Sequence, residues 1–518
     1  MTPTLSQRPI SAILNIFSNM AGGFWVALLT LIITPIQINI LGMESYGLVG
    51  FIVTLQAICN VLDFGLSTTL TRELAIGYAS GTHEKKQDLI ETVSSIYWVW
   101  AFILGIILLV IAKPLSRFWF HPVELDPKAL IFGVQIISIS LALRWPVAFY
   151  SSIFAGLQRM DLLNLLKVAT NSLRLIGGIV VLLLYRDLVA FLWWIVMNAV
   201  LEVLTYRGVC QKVYPMRKNW QLTISWTALQ PIWRYALKMN MIAILTVFVV
   251  QADRLLVSKL LSMKALGYYS LAYSTISSVS LILVAISSAL LPSFSVSHHA
   301  DAIVILANRY FKFSKMTLFI TGGIIFSFMF FGESILSIWV NPAASAGAWQ
   351  PLAWLAIGFW LNASCSNAYT IAISCGRPDI PLRVSLLSAV PYFLTIFFLI
   401  QFYSVNGAAI AWMILNLFYL VSLVPFVHWQ VLKISSLMWV FEIFIPYSLL
   451  GIVSFGLLKW MAHIDQSFIG FSSDLIALIV AILLYGILGL LFLGKDIRRT
   501  MEGLIVGKLK IFWNRALS

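Results

Sequence analysis

Residues 98–112 read WVWAFILGIILLVIA, and residues 474–494 read DLIALIVAILLYGILGLLFLG. Neither stretch has a polar face. A transmembrane β-strand alternates apolar and polar side chains, whereas a helix that hides its backbone polarity internally can be apolar all round. About 20 such residues cross the roughly 30 Å hydrocarbon core as a helix. Working outward, similar runs recur from end to end of the 518 residues, of which 60% are hydrophobic and 10% charged. A soluble domain carries roughly 25% charged residues. The fold class is therefore an all-α polytopic membrane protein.

Cutting the chain at polar and proline-containing breaks predicts about fourteen transmembrane helices under the 20-residue criterion. The first six lie within 11–38, 46–71, 92–113, 129–153, 165–185 and 187–206. A basic linker follows, RGVCQKVYPMRKNWQLT at 207–223. The remaining eight lie within 236–258, 267–291, 313–332, 350–373, 383–402, 406–428, 439–459 and 473–493. The expected organisation is a six-helix lobe at 1–210, a cytoplasmic linker at 211–235, a second six-helix lobe at 236–430, and two additional helices with a basic tail at 431–518. No removable secretory signal is visible, so the first helix is expected to act as an uncleaved anchor.

Lysine and arginine are retained on the cytoplasmic side of a membrane. One alternating set of loops and the tail holds roughly 24 of them and the other set roughly 7, which predicts that both termini are cytoplasmic. The net charge of +14 is thus topology and implies no nucleic-acid partner. Cys59, Cys210, Cys365 and Cys375 lie in or beside apolar runs without a C-x-x-C pair, and read as small hydrophobes. The histidines are scattered and no metal site is expected. External loops are short, the longest being about 114–128 and 340–350. Function therefore resides between helices.

The turn LGMESYGLVGF at 41–51 is echoed by LLSMKALGYYSLAY at 260–273, with Gly47 set against Gly267. Six spans separate the two turns, so both point the same way, as a parallel repeat about an axis along the membrane normal requires. The stretch ITPIQINILGMESYGLVGFIVTLQAICNVLDFGLSTTLTRELA (33–75) resembles the opening of Wzx-type O-antigen and polysaccharide flippases. That family shows a proline near the end of helix one, an L-G-x-x-x-Y-G turn, and L-D-x-G-L followed by arginine in helix two. FAGLQRMDLLN (154–164) resembles the family's G-L-Q-R turn, and QADRLLVSKLLSMKALGYYSLAY (251–273) its second D-R then L-G-x-Y segment. The resemblance implies the polysaccharide branch of the multidrug/oligosaccharidyl-lipid/polysaccharide exporter superfamily. Its members turn polyprenyl-pyrophosphate-linked glycans across the bacterial cytoplasmic (inner) membrane by alternating access. Membrane lipids, a polysaccharide polymerase and other assembly proteins are the partners expected with it.

Charges inside the membrane cost from about 2.5 kcal/mol upward and mark a bundle interior or a wet cavity. Arg144 and Arg174 each lie about nine residues from the inner ends of consecutive spans, or roughly 14 Å deep at 1.5 Å per residue. Neither of their own helices supplies a carboxylate there. Guanidinium forks bind phosphate oxygens in pairs and stay charged when desolvated, so both suit a pyrophosphate. The alternative is neutralisation by an acid of another helix: Asp63, Asp253 or Glu202. Glu202 by itself reads as a solvated carboxylate near an inner helix end. Arg254 is a third candidate cavity cation, with Asp253 tying its helix to another. Asp63 and Asp253 are candidate ion-coupling or gating groups, and Asn19 and Gln251 candidate polar linings; for these and for Arg254 the alternative is a structural bond between helices. No cofactor is expected beyond an H+ or Na+ gradient. The competing functions are a drug/cation antiporter, which prefers an acidic cavity, and a membrane glycan polymerase or ligase, which needs a larger external loop.

Overall fold

The computed structural model describes residues 12–79, 87–214, 225–226, 230, 244, 247–294, 300–464 and 471–492, the first ten of them as helix backbone alone. Every long element among them is helical, and no strand occurs among the described residues. The chain divides into two compact units. The first comprises 1–271 with 396–405, and the second 272–395 with 406–518.

The first unit contains α1 (Ala12–Val61), α2 (Leu66–Ala79), α3 (Gln87–Phe118), α4 (Pro127–Arg144), α5 (Val147–Gly156), α6 (Met160–Tyr185) and α7 (Leu188–Val213). It continues with α8 (247–260) and the start of α9 (Met263–Ser277). Leu70, Leu74, Val93, Tyr97, Phe149, Phe154 and Tyr206 form a core joining α2, α3, α5 and α7. Leu29, Ile33, Leu175, Leu182 and Phe191 form a second between α1, α6 and α7. Opposite these seams, large apolar side chains such as Phe102 and Leu184 stay exposed. In a bilayer that surface meets acyl chains at no cost, so the burial rule of soluble proteins does not apply to it.

The two echoed turns touch. A methyl group on Gly47 would run into the carbonyl of Met263 and the backbone of Gly267, and one on Gly267 into the carbonyl of Met43. Each glycine thus meets the residue four before the other glycine, a reciprocal contact of the kind a two-fold axis generates. Only glycine lets backbones approach this closely. Gly267→Ala is expected to lower stability by about 1–3 kcal/mol through overpacking. Gly23→Ala, at a position with open space around it, is expected to be silent. Thermal unfolding of the two variants in detergent checks both.

The second unit is organised on α11 (Ala300–Trp339), which packs along α12 (Pro342–Ser374). The unit also includes α10 (Val279–Phe294), most of α13 (Asp379–Val427), a π-turn at His428–Leu432, α14 (Ser436–His463) and α15 (Phe471–Phe492). The last two helices seat on α11 through small residues. Gly451 faces Phe326, Gly489 faces Phe319, and Gly322 faces Tyr485. The Tyr485 hydroxyl donates to the Phe319 carbonyl at 3.0 Å, and Lys459 pairs with Asp474 at 2.7 Å across the α14–α15 hairpin.

Ten helical runs among the described residues are long and apolar enough to cross a membrane. Two of them, Gly22–Val61 and Asp379–Leu432, contain backbone breaks at Gly42 (φ 81°) and Ser404 (φ 52°), and each covers two spans expected from the sequence. Of the seventh expected span, residues 244 and 247–258 are described, the latter as α8, and the others lie outside the described residues. The tenth falls on α12, which is helical but not among the ten.

Candidate functional site: a polar chamber between two interrupted helices

Two membrane helices of the first unit are interrupted at similar chemistry. In NVLDFGLS (60–67) the helix stops at Val61 and resumes at Leu66, with Phe64 and Gly65 at φ 53° and 69°. Glycine takes this left-handed conformation without strain, which is why the break falls here. The Asp63 carboxylate accepts from the Gly65 amide at 2.7 Å, from the Ser67 hydroxyl, and from the Tyr97 hydroxyl at 3.3 Å. It thereby satisfies a donor orphaned at the start of α2. Trp100 Nε1 donates to the freed carbonyl of Leu62 at 3.2 Å. In LALRWPVAF (141–149), α4 stops at Arg144 and α5 starts at Val147. Pro146 has no N–H to continue the helical ladder.

Both interruptions open onto one chamber of about 340 Å³, lined by Gln56, Asn60, Asp63, Ser67, Arg144 and Trp145 among others. Irregular backbone at membrane depth survives only where protein or water satisfies it. Discontinuous helices whose ends meet in this way build substrate and ion sites in transporters.

Arg144 is held on one side of the chamber. Its Nε donates to Glu202 Oε2 at 2.7 Å and Nη2 to Oε1 at 3.3 Å, while Nη1 reaches Gln56 Oε1 at 3.3 Å. Glu202 comes from α7 and is 5% exposed. The reading of Glu202 as a solvated interfacial carboxylate is thus corrected. Its neighbour in sequence, Arg207, suggested a surface position, but the α4–α7 packing turns the carboxylate inward against Arg144. Arg174 on α6 is half-buried. Its side chain makes no hydrogen bond or ion pair with a described residue, yet it lies close enough to Arg144 and Glu202 to feel both charges. Arg174 is not among the residues that line the chamber; the two guanidiniums are balanced by Glu202 and by Asp63 on the chamber wall.

The remaining candidates lie elsewhere. Asp253 on α8 is fully buried, accepting from the Tyr269 hydroxyl on α9 and from the Arg254 amide at 2.7 Å. Arg254 is half-buried and donates to Gln251 Oε1 at 3.3 Å. None of Gln251, Asp253 and Arg254 lines the chamber. The Asn19 side chain lies outside the described residues.

Sequence reading missed Gln56, Asn60 and Ser67 as chamber residues. A signal was present. With Asp63 they recur at intervals of four, three and four, a polar stripe on one helix face that an otherwise apolar span has no other reason to carry. The Asp-Phe-Gly and Arg-Trp-Pro triplets likewise mark the two breaks.

Comparison with known proteins accords with this architecture. A candidate O-antigen transporter of Shigella flexneri is 23% identical over 380 residues, covering 72% of this chain and 87% of that protein. The inward closed conformation of lipid II flippase MurJ superposes with a TM-score of 0.64 at 15% identity, covering 93% of this chain and 99% of that one. An inward-facing MATE-family multidrug transporter of the MOP superfamily gives 0.60 at 13% identity, over 82% and 95% of the two chains. These structural likenesses establish the fold. The family model for polysaccharide biosynthesis proteins matches residues 13–298, which contain both helix breaks, the chamber and the paired glycine turns. The chain belongs to the polysaccharide biosynthesis protein family.

Proposed function

We propose that the protein is a flippase that turns polyprenyl-pyrophosphate-linked oligosaccharide, an O-antigen or exopolysaccharide repeat unit, from the inner to the outer leaflet of the bacterial cytoplasmic membrane. The observation that carries this reading is a guanidinium within reach of Arg144 that is bonded to no carboxylate among the described residues: Arg144 is matched by Glu202, and Arg174 has no such partner. A buried charge without a carboxylate of its own is costly, and a diphosphate repays that cost with charge-assisted bonds. The lipid tail stays in the bilayer while the helices rearrange by alternating access, so no covalent step is required and the protein acts as a transporter, not an enzyme. Both termini face the cytoplasm, and a polysaccharide polymerase on the outer face consumes the delivered units.

Asp63, bonded at a helix break and lining the same chamber, is our candidate for coupling transport to an H+ or Na+ gradient. Asp253 with Tyr269 ties α8 to α9, and Arg254 serves as a further cationic station. A drug/cation antiporter is the competing reading, and Asp63 is the one feature that favours it. Purified protein in proteoliposomes should flip a fluorescent lipid-linked oligosaccharide at least tenfold faster than protein-free vesicles. It should leave a lipophilic cation at background. The opposite selectivity would establish the antiporter reading.

A further inference from the structure

The second unit holds a cavity unrelated to the chamber. It measures about 630 Å³ and lies between the start of α11 and the turn joining α13 to α14, lined by Ala307, Asn308, Phe311, Lys315, Lys433 and Met438 among others. That volume is within the range of about 300–1,000 Å³ typical of small-ligand pockets. Its walls are divided. The Lys315 and Lys433 side chains form no hydrogen bond or ion pair with a described residue, while Ile303, Val304 and Met438 on the same wall are exposed apolar groups. Exposed neighbours Ile305, Leu437 and Phe441 extend the apolar rim.

The turn that presents Lys433 is built for it. The helix ends in a π-turn, His428–Leu432, and Lys433 itself takes a left-handed conformation at φ 56°. His428, buried between the Tyr310 hydroxyl (2.9 Å) and Ser436 (3.1 Å), pins that turn to α11. Lys315 and Lys433 both belong to the loop set that carries most of the positive charge, the side retained in the cytoplasm. Two cations backed by apolar surface at the inner membrane interface match one class of ligand, an anionic lipid whose phosphate meets the ammonium groups while its acyl chains run along the rim.

We propose that this cavity is a binding site for an anionic phospholipid of the inner leaflet, with the phosphate held between Lys315 and Lys433. One carboxylate, the exposed Glu442, also lines it, and leaves the site with one net positive charge. The inference stands apart from the transport reading, because no residue of the chamber takes part.

Native mass spectrometry of the full-length protein in detergent, titrated separately with phosphatidylglycerol and phosphatidylcholine, tests it. The protein should retain phosphatidylglycerol in clear preference to phosphatidylcholine. Lys315→Gln with Lys433→Gln should weaken phosphatidylglycerol binding about thirtyfold, each lysine near an anionic head group contributing about fivefold. Binding of phosphatidylcholine should not change. Should the paired variant fail to fold, Lys433→Gln alone, at an exposed position, should lose about fivefold, and Glu442→Gln should bind at least as tightly as the original protein. Equal retention of the two lipids, or unchanged phosphatidylglycerol binding in the lysine variants, overturns the site. Displacement by millimolar inorganic phosphate would make it a free-phosphate site, and displacement by an equimolar polyprenyl diphosphate a substrate site; either result also overturns the proposal.

Discussion

Arg144→Gln is expected to destabilise the protein by about 3–5 kcal/mol, because it leaves the Glu202 carboxylate charged and uncompensated in a buried position. The pair is bidentate, with both guanidinium bonds to Glu202 at 3.3 Å or less and Glu202 only 5% exposed. The rescue is as informative as the loss. Adding Glu202→Gln to Arg144→Gln replaces the ion pair with two amides that can bond each other and Gln56, and should recover most of the deficit. The measurement is a double-mutant cycle in thermal unfolding, read together with the fraction that elutes as a single species from size exclusion. A neutral Arg144→Gln, or a double variant no better than the single one, would mean that the pair does not hold α4 to α7. Transport measured on Arg144→Gln alone would confuse folding with substrate binding.

Arg174→Gln is the cleaner probe of transport and is expected to reduce flipping by about 10- to 100-fold, the equivalent of one lost charge-assisted bond worth about 1.5–3 kcal/mol. Stability should hold or rise slightly. The substitution orphans no hydrogen-bonded partner among the described residues, and it removes a positive charge close to Arg144. Arg174→Lys should fall between, since an ammonium keeps the charge but loses the planar fork that grips two phosphate oxygens at once. In cells, the expected readout is lipid-linked repeat units accumulating on the inner leaflet at normal protein levels. Undiminished flipping by a well-folded Arg174→Gln protein would remove the cationic-cluster mechanism.

These contrasting expectations for two arginines show where reading the sequence stops. Arg144 and Arg174 look alike in the chain: each is a lone cation about nine residues into an apolar helix. What separates them is Glu202, 58 residues from Arg144 in the chain and on a helix whose facing direction no local pattern fixes. The same holds for Asp63. Its depth was legible, but on a regular helix the Gly65 amide would be committed to the helical ladder and out of its reach. The backbone break at Phe64 and Gly65 instead turns its carboxylate onto Gly65, Ser67 and Tyr97.

The sequence by itself determined the solvent and the scaffold. Apolar runs about 20 residues long can satisfy their backbones in lipid only as helices. The matching turns at Gly47 and Gly267 marked the repeat, because close backbone approach admits no other residue there. Only the tertiary structure decided which charges cancel. An ion pair depends on side chains brought within about 4 Å by helix packing, and in lipid that packing follows from small-residue fit and hydrogen bonds, which leave little trace in hydropathy. Which arginine is paired and which is left without a carboxylate is therefore a property of the fold, although every residue involved could be read from the chain.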